Sequence, residues 1–366
     1  MDSRQGRLFP HGDLTEDQRA NSRLNIDEWG MQSRVLNSVP RRVVLELTNG
    51  CNLRCAMCGR NFASFVPTEF DFSWLERFGD VFPKAEEVTL MGWGEPTIYS
   101  RFADVLEYLD QFPVRKYICT NGTKLKELTG LILDRHVDIV AVSIDGASPA
   151  VNDGIRIGAS LDAVIRGIKS VQEEAVRRSV AGPYMRIVFT AMRSNLRELP
   201  DLVSLAADVG VSEVKVVNFT VFGEDMLAEC LWDDMERVGE VFNAAREVGI
   251  ASGVKLSLPA LTGEDPAGDA PHRPCDLGWR DFFVGSDGYV RPCMSTSQKL
   301  FHIDTYGSFE EMWNSPELQV FRASVNDDDR MPLNCRLCYQ ASYANWNQEH
   351  AFIQAGGTFA PDWTCP

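Results

Sequence analysis

From residue 43 onward, short apolar runs rich in β-branched residues alternate with longer amphipathic segments, six times over. The runs are Val43–Leu47, Glu87–Met91, Lys116–Thr120, Ile139–Ile144, Arg186–Thr190 and Val214–Asn218. Between them, patterns such as "SRFADVLEYLDQF", "SLDAVIRGIKSVQEEAV" and "LPDLVSLAADVG" place apolar residues at helical spacing. Strand, helix and strand in repetition require parallel pairing with helical crossovers. Six units fall short of the eight of a closed barrel. The expectation is therefore an α/β fold, a partial (β/α)6 barrel over residues 41–258, although periodicity alone leaves a doubly wound sheet open. In either architecture chemistry belongs at the C-terminal ends of the strands.

The flanking regions differ in texture. Residues 1–40 are polar and mixed in charge and are expected to form an arm or a short helical prelude. Past residue 258, "LTGEDPAGDAPHRP" is a Gly/Pro/Asp-rich linker, and "RDFFVGSDGYVRPC" reads as a β-hairpin turning at Gly285–Gly288. The segment "SFEEMWNSPELQVFRAS" is a helix candidate, and more cysteines follow it. Residues 259–366 are thus expected to form a small hairpin-plus-helix domain with a C-terminal tail. Trp346, Phe352 and Trp363 in that tail would anchor it on the body or line a substrate entrance.

The net charge of −16 argues against broad binding to nucleic acid or to an anionic membrane surface. No window of about 18 uninterrupted apolar residues suits a membrane span. The N-terminal stretch lacks the apolar segment of a secretory signal, so a cytoplasmic, thiol-reducing setting is expected. In that setting ten cysteines read as ligands, reactive thiols or core residues before they read as disulfides.

Three of them crowd into "CNLRCAMCGR" as Cys51, Cys55 and Cys58, on the loop leaving the first strand. Structural zinc sites favour paired spacings and four ligands, and this triplet has no nearby His or fourth Cys. A loop of this kind wraps one face of a four-iron, four-sulfur cluster and leaves the fourth iron open. A second group, Cys275, Cys293, Cys335 and Cys338, supplies four thiols, enough for a fully ligated cluster or for a tetrahedral zinc. Cys119 lies within a strand run and suits core packing. Cys230 is either a surface helix residue or a thiol placed to return hydrogen to a radical. Cys365 is either an extra ligand or uninvolved.

The Cys-x3-Cys-x2-Cys loop resembles the signature of the radical S-adenosylmethionine enzymes, in which the cosubstrate's amino and carboxylate groups chelate the open iron. Further along, "MGWGEP" resembles the family's Gly-Gly-Glu segment, with Trp93 in place of one glycine and Gly94 and Glu95 kept. "SIDG", Ser143 to Gly146 with Asp145 within it, resembles the segment that meets the ribose. "TAMRSN" resembles the fifth-strand segment near the methionyl carboxylate, with Arg193 and Asn195 as contacts. Met57 stands where the family often carries an aromatic residue over the adenine. The second cysteine group resembles the SPASM module in its shortened twitch form.

The resemblance implies two 4Fe-4S clusters and S-adenosylmethionine as cofactors, and a flavodoxin- or ferredoxin-type electron donor. One electron entering the open cluster would cleave the sulfonium and give a 5′-deoxyadenosyl radical. With a capped auxiliary cluster as acceptor, the implied reaction is dehydrogenation of a small polar substrate, an alcohol of an amino-sugar or aminocyclitol in antibiotic biosynthesis. The alternatives are epimerisation with Cys230 as hydrogen donor, elimination, peptide modification, or a non-catalytic electron carrier. Peptide-modifying relatives often carry an N-terminal peptide-binding domain, for which the 40-residue arm is short.

Overall fold

The computed structural model describes residues 14–62, 66–220, 224–231, 233–259, 274–293, 298–332 and 335. All six runs are strands: β1 (Arg42–Leu45), β2 (Glu87–Leu90), β3 (Arg115–Thr120), β4 (Ile139–Ser143), β5 (Tyr184–Ala191) and β6 (Glu213–Asn218). A seventh, β7 (Lys255–Ser257), extends the series, and each pairs in parallel with the next. This consecutive order contains no point at which the strand sequence reverses, which a doubly wound sheet requires. Right-handed crossovers in one direction put all the helices on one face, as a partial barrel needs.

That helical face is the dry one. Ile118, Val140, Val142, Ile187, Phe189, Val214 and Val216 are buried in one core with Val164, Ile168 and Val171 of α5 (Leu161–Arg178) and Leu202 and Val203 of α6 (Leu199–Asp208). The alternate residues of the same strands, Tyr117, Cys119, Ser143, Arg186, Val188, Thr190, Lys215 and Val217, face the concave side. Most of them keep some solvent contact, and Lys215 is exposed. The remaining crossover helices are α2 (Phe102–Leu109), α3 (Leu125–Asp134) and α4 (Pro149–Ile155), α7 (Met235–Ser252) precedes β7, and the single turn α8 (Leu277–Arg280) precedes the hairpin.

The predicted hairpin is β8 (Asp281–Val284) and β9 (Tyr289–Arg291), followed by β10 (Phe301–His302). It does not stand apart. β8 pairs in parallel with the free side of β1, so a ten-stranded sheet runs β10-β9-β8-β1-β2-β3-β4-β5-β6-β7. Phe282 and Val284 enter the same core as Phe78, with the Phe78 and Phe282 rings 6.0 Å apart. The helix candidate after the hairpin is two helices, α9 (Phe309–Trp313) and α10 (Pro316–Ser324). Pro316, which lacks an N–H, ends the first pattern and opens the second, with Ser315 as its cap.

In the N-terminal arm, α1 (Glu16–Gly30) is a full helix, with Thr15 and Gln18 forming a capping box. Its inward stripe is polar: Gln18, Asn21, Ser22, Asn25 and Glu28 are buried. Gln18 donates to the Ala85 and Pro113 carbonyls at 2.7 and 3.0 Å, Asn21 to Val39 and Lys84, and Asn25 to Trp279 at 2.7 Å. The helix thus straps the N-terminal ends of the strands, away from the end that carries the cysteine loop.

Candidate active site

The loop leaving β1 is held against the loops after β2 and β3 by buried polar contacts. Glu95 is buried, and its carboxyl accepts hydrogen bonds from Thr97 N and Oγ1, from Thr120 Oγ1 at 2.7 Å and from Asn121 N at 2.7 Å. Its own N–H donates to the Gly50 carbonyl at 2.8 Å. Gly94 lies so close to the Thr48 and Gly50 carbonyls that a Cβ there would overlap both. Glycine is required at 94 by close approach.

Cys51, Cys55 and Cys58 are all half-buried on this loop. Cys51 Sγ accepts from Leu53 N at 3.4 Å and faces Asn121 Nδ2 at 3.9 Å, and Cys55 Sγ faces Arg156 Nη1 at 4.0 Å. Burial pushes the Cys55 thiol up to about 11 and raises Cys58 as well, and neighbouring thiols add to both shifts. Among the described residues no three His, Cys, Asp or Glu side chains close on a single metal ion. Each cysteine of a 4Fe-4S cluster ligates a different iron, so three thiols on one loop serve three of its four irons. Amide and guanidinium donors beside the sulfurs match the negative charge of a thiolate-ligated cluster. The three thiols therefore fit a 4Fe-4S group.

Asp145 is fully buried at the end of β4 and ion-pairs with Arg156 at 2.7 Å. It also accepts from Thr190 N at 2.7 Å. Burial raises its carboxyl above the usual range, and Arg156 opposes that shift. Its effect on the site is indirect: it aims Arg156 at Cys55. Asn195 is likewise engaged by the backbone, donating to the Asp145 and Thr190 carbonyls at 3.0 and 2.9 Å and accepting from Met192 N. Arg193 turns to the segment after β6, bonding the Ala228 and Cys230 carbonyls and the Asp233 carboxylate. Ser143 lies half-buried at the end of β4, on the same face as Cys119 of β3. The thiol of Cys119 faces the concave side.

Cys230 is not a surface residue. It is buried in a small apolar cluster with Ile155, Met192, Phe219 and Met226, against which Met57 packs. Burial pushes its thiol up to about 12, so it is an S–H at neutral pH. Of the second group, Cys275, Cys293 and Cys335 lie on three separate segments, before β8, after β9 and beyond α10. The Asn326 side chain clamps the Cys275 backbone at both N–H and C=O. Cys338 and Cys365, with the tail aromatics, lie outside the described residues.

Three site residues carried no motif. Glu46, the lone acid in the first apolar run, is buried with a carboxyl raised by desolvation. It accepts from Trp93 N at 2.6 Å and from Ser286 N and Oγ at 3.1 and 3.0 Å, joining the β2 loop to the hairpin. Arg156 and Lys215 are the others. The only trace of Lys215 in the sequence is the charged position of "EVKVVN", where strand alternation places the alternate face.

Comparison with known proteins agrees with this geometry. Residues 45–187 match the Radical SAM superfamily, and residues 275–339 match the SPASM iron–sulfur cluster-binding domain. The mycofactocin maturase MftC of Mycolicibacterium smegmatis is 24% identical over 291 residues, covering 75% of this chain and 70% of that protein. The PqqA peptide cyclase of Gluconobacter oxydans is 25% identical over 319 residues, covering 83% and 84%. In fold, the chain is similar to Streptococcus suis SuiB bound to its precursor peptide SuiA. That likeness has a TM-score of 0.64 at 16% identity and covers 93% of this chain and 79% of that one. The two matched domains give this chain S-adenosylmethionine and two 4Fe-4S clusters as cofactors. The chain belongs to the radical S-adenosylmethionine enzymes and carries a SPASM iron–sulfur domain.

Proposed function

We propose that this enzyme oxidises a residue of a peptide substrate held on the concave face of the sheet, with the auxiliary cluster as electron acceptor. When bound, the cofactors supply the one-electron chemistry that makes the 5′-deoxyadenosyl radical and takes up the second electron. The protein's part is to hold the substrate C–H in reach and to exclude water. The observation that carries the oxidative reading is the parallel pairing of β8 with β1. It joins the segment bearing Cys275 and Cys293 to the strand whose loop bears Cys51, Cys55 and Cys58. The likeness over most of its length to a PqqA peptide cyclase supports a peptide substrate.

The amino-sugar or aminocyclitol reading would set a substrate cation beside Arg186 and Lys215, which disfavours it. A flavodoxin- or ferredoxin-type protein is the proposed electron donor, in a reducing cytoplasmic setting. No described helix is long and apolar enough to cross a membrane.

The test is a screen of short peptides against amino-sugar alcohols, with the dithionite-reduced, anaerobically reconstituted enzyme. It reads 5′-deoxyadenosine above the substrate-free level and the product mass. Peptide-dependent turnover with loss of two hydrogens is expected, and turnover on the amino-sugars alone would overturn the peptide reading. Oxidation returns no hydrogen to the substrate, so Cys230→Ala is expected to keep product formation while losing about 1 kcal/mol of stability from its small cavity. Loss of product with S-adenosylmethionine cleavage intact would instead favour epimerisation.

A further inference from the structure

The concave face below the cysteine loop is lined with charge, and among the described residues one cation there makes no ion pair. Arg42 pairs with Asp281, and Arg115 lies 3.6 and 3.8 Å from Glu86 and Glu87. Glu213 is encircled by Arg186 at 2.8 Å, Tyr184 at 3.0 Å, Ser257 at 2.8 Å and Lys255 at 3.7 Å. Lys215 sits one inward position further along β6 than Glu213, level with Val188 of β5 and Ser143 of β4. Among the described residues its ammonium has neither hydrogen-bond nor ion-pair partner. Glu46, an acid on the same face, already accepts from Trp93 and Ser286.

We propose that Lys215 is the anchor for a carboxylate of the substrate, an acidic side chain or chain terminus of the peptide. Its neighbours make the site selective for an anion. Arg186 of β5 and Arg42 of β1 are further cations, Cys119 of β3 is a thiol, and the charge of Glu213 is already met by Arg186. The surroundings penalise an unpaired ammonium: although the side chain is open to the concave space, the protein crowding around it displaces water, and this desolvation, then Arg186, lowers the Lys215 pKa. An incoming carboxylate removes that penalty, whereas an amine would add to it. The position, on the third inward row of the sheet and level with Ser143 at the end of β4, places a substrate bound there under the cysteine loop that leaves β1.

This inference rests on the reading that the concave face is the substrate chamber, and the experiment separates the two. The anaerobically reconstituted protein is treated with pyridoxal 5′-phosphate, an anionic aldehyde, then reduced with cyanoborohydride and mapped by peptide mass spectrometry. Lys215, with its lowered pKa, is expected to label faster than Lys126 and Lys169 on the outer helices α3 and α5. Glutarate is expected to protect it and the neutral glutaramide is not. Glutarate is also expected to raise the melting temperature of the wild type and of Lys215→Arg but not of Lys215→Met. Labelling at the rate of the exposed lysines, or equal protection by glutarate and glutaramide, overturns the anchor. Substrate-free cleavage of S-adenosylmethionine by the wild type is measured in parallel, and its absence would overturn the enzymatic reading whatever the labelling shows.

Discussion

Replacing Cys51, Cys55 and Cys58 together by alanine is expected to lower the iron content of anaerobically reconstituted protein from about eight to about four atoms per chain. Cleavage of S-adenosylmethionine should be abolished. The three thiols share one loop and draw on a donor of the loop itself, Leu53, and on two from other segments, Asn121 and Arg156, so losing them empties one site as a unit. The remaining iron should show the Mössbauer signature of a fully thiolate-ligated cluster, because Cys275, Cys293 and Cys335 sit on other segments. Retention of about eight iron atoms in the triple variant would remove the assignment of the loop. About four in the wild type and none in the variant would remove the auxiliary cluster, and the oxidative mechanism with it.

Glu95→Ala is expected to destabilise the protein by roughly 3–5 kcal/mol, because each buried donor left without an acceptor costs about 1–3 kcal/mol. That corresponds to a fall in melting temperature on the order of 10 °C. Four donors, Thr97 N, Thr97 Oγ1, Thr120 Oγ1 and Asn121 N, would lose their acceptor in a buried site. Asn121 also touches Asn52 and Cys51, so cluster loading should fall together with stability. Glu95→Gln can keep its oxygen on the three donors of Thr97 and Thr120 and set its NH2 group against Asn121 N alone, and an intermediate loss is expected. A Glu95→Ala protein that melts within a few degrees of wild type, with full iron content, would show that the contacts are replaceable by water.

All six strands of the barrel were legible because each is an apolar run between amphipathic helices, a signal that depends on local period alone. β7 was missed because "KLS" is three residues long with one apolar position. The pairing of β8 with β1 could not be read, since it joins residues about 240 apart in sequence and no local pattern encodes a parallel partner. The α1 helix shows only weakly because its buried stripe is amide, hydroxyl and carboxyl rather than apolar. It docks through hydrogen bonds to carbonyls that exist only once the strands have formed. In the site, clustered or repeated chemistry was visible: the cysteine triplet, Glu95 and Asp145. Arg156, Glu46 and Lys215 are single charges whose meaning depends on which face they reach, and tertiary structure decides that.

The pairing of β8 with β1 also bears on how such a chain can be cut and recombined. A strand edge left bare offers its N–H and C=O groups to any other strand in reach. Cutting the chain at the linker before residue 274 would bare the edge of β1 beside the cysteine loop. The truncated protein would then be prone to pair with copies of itself. The cluster-binding segment is therefore not a detachable module that could be grafted or deleted at will. A shortened enzyme of this plan would need some other segment to cover the first strand.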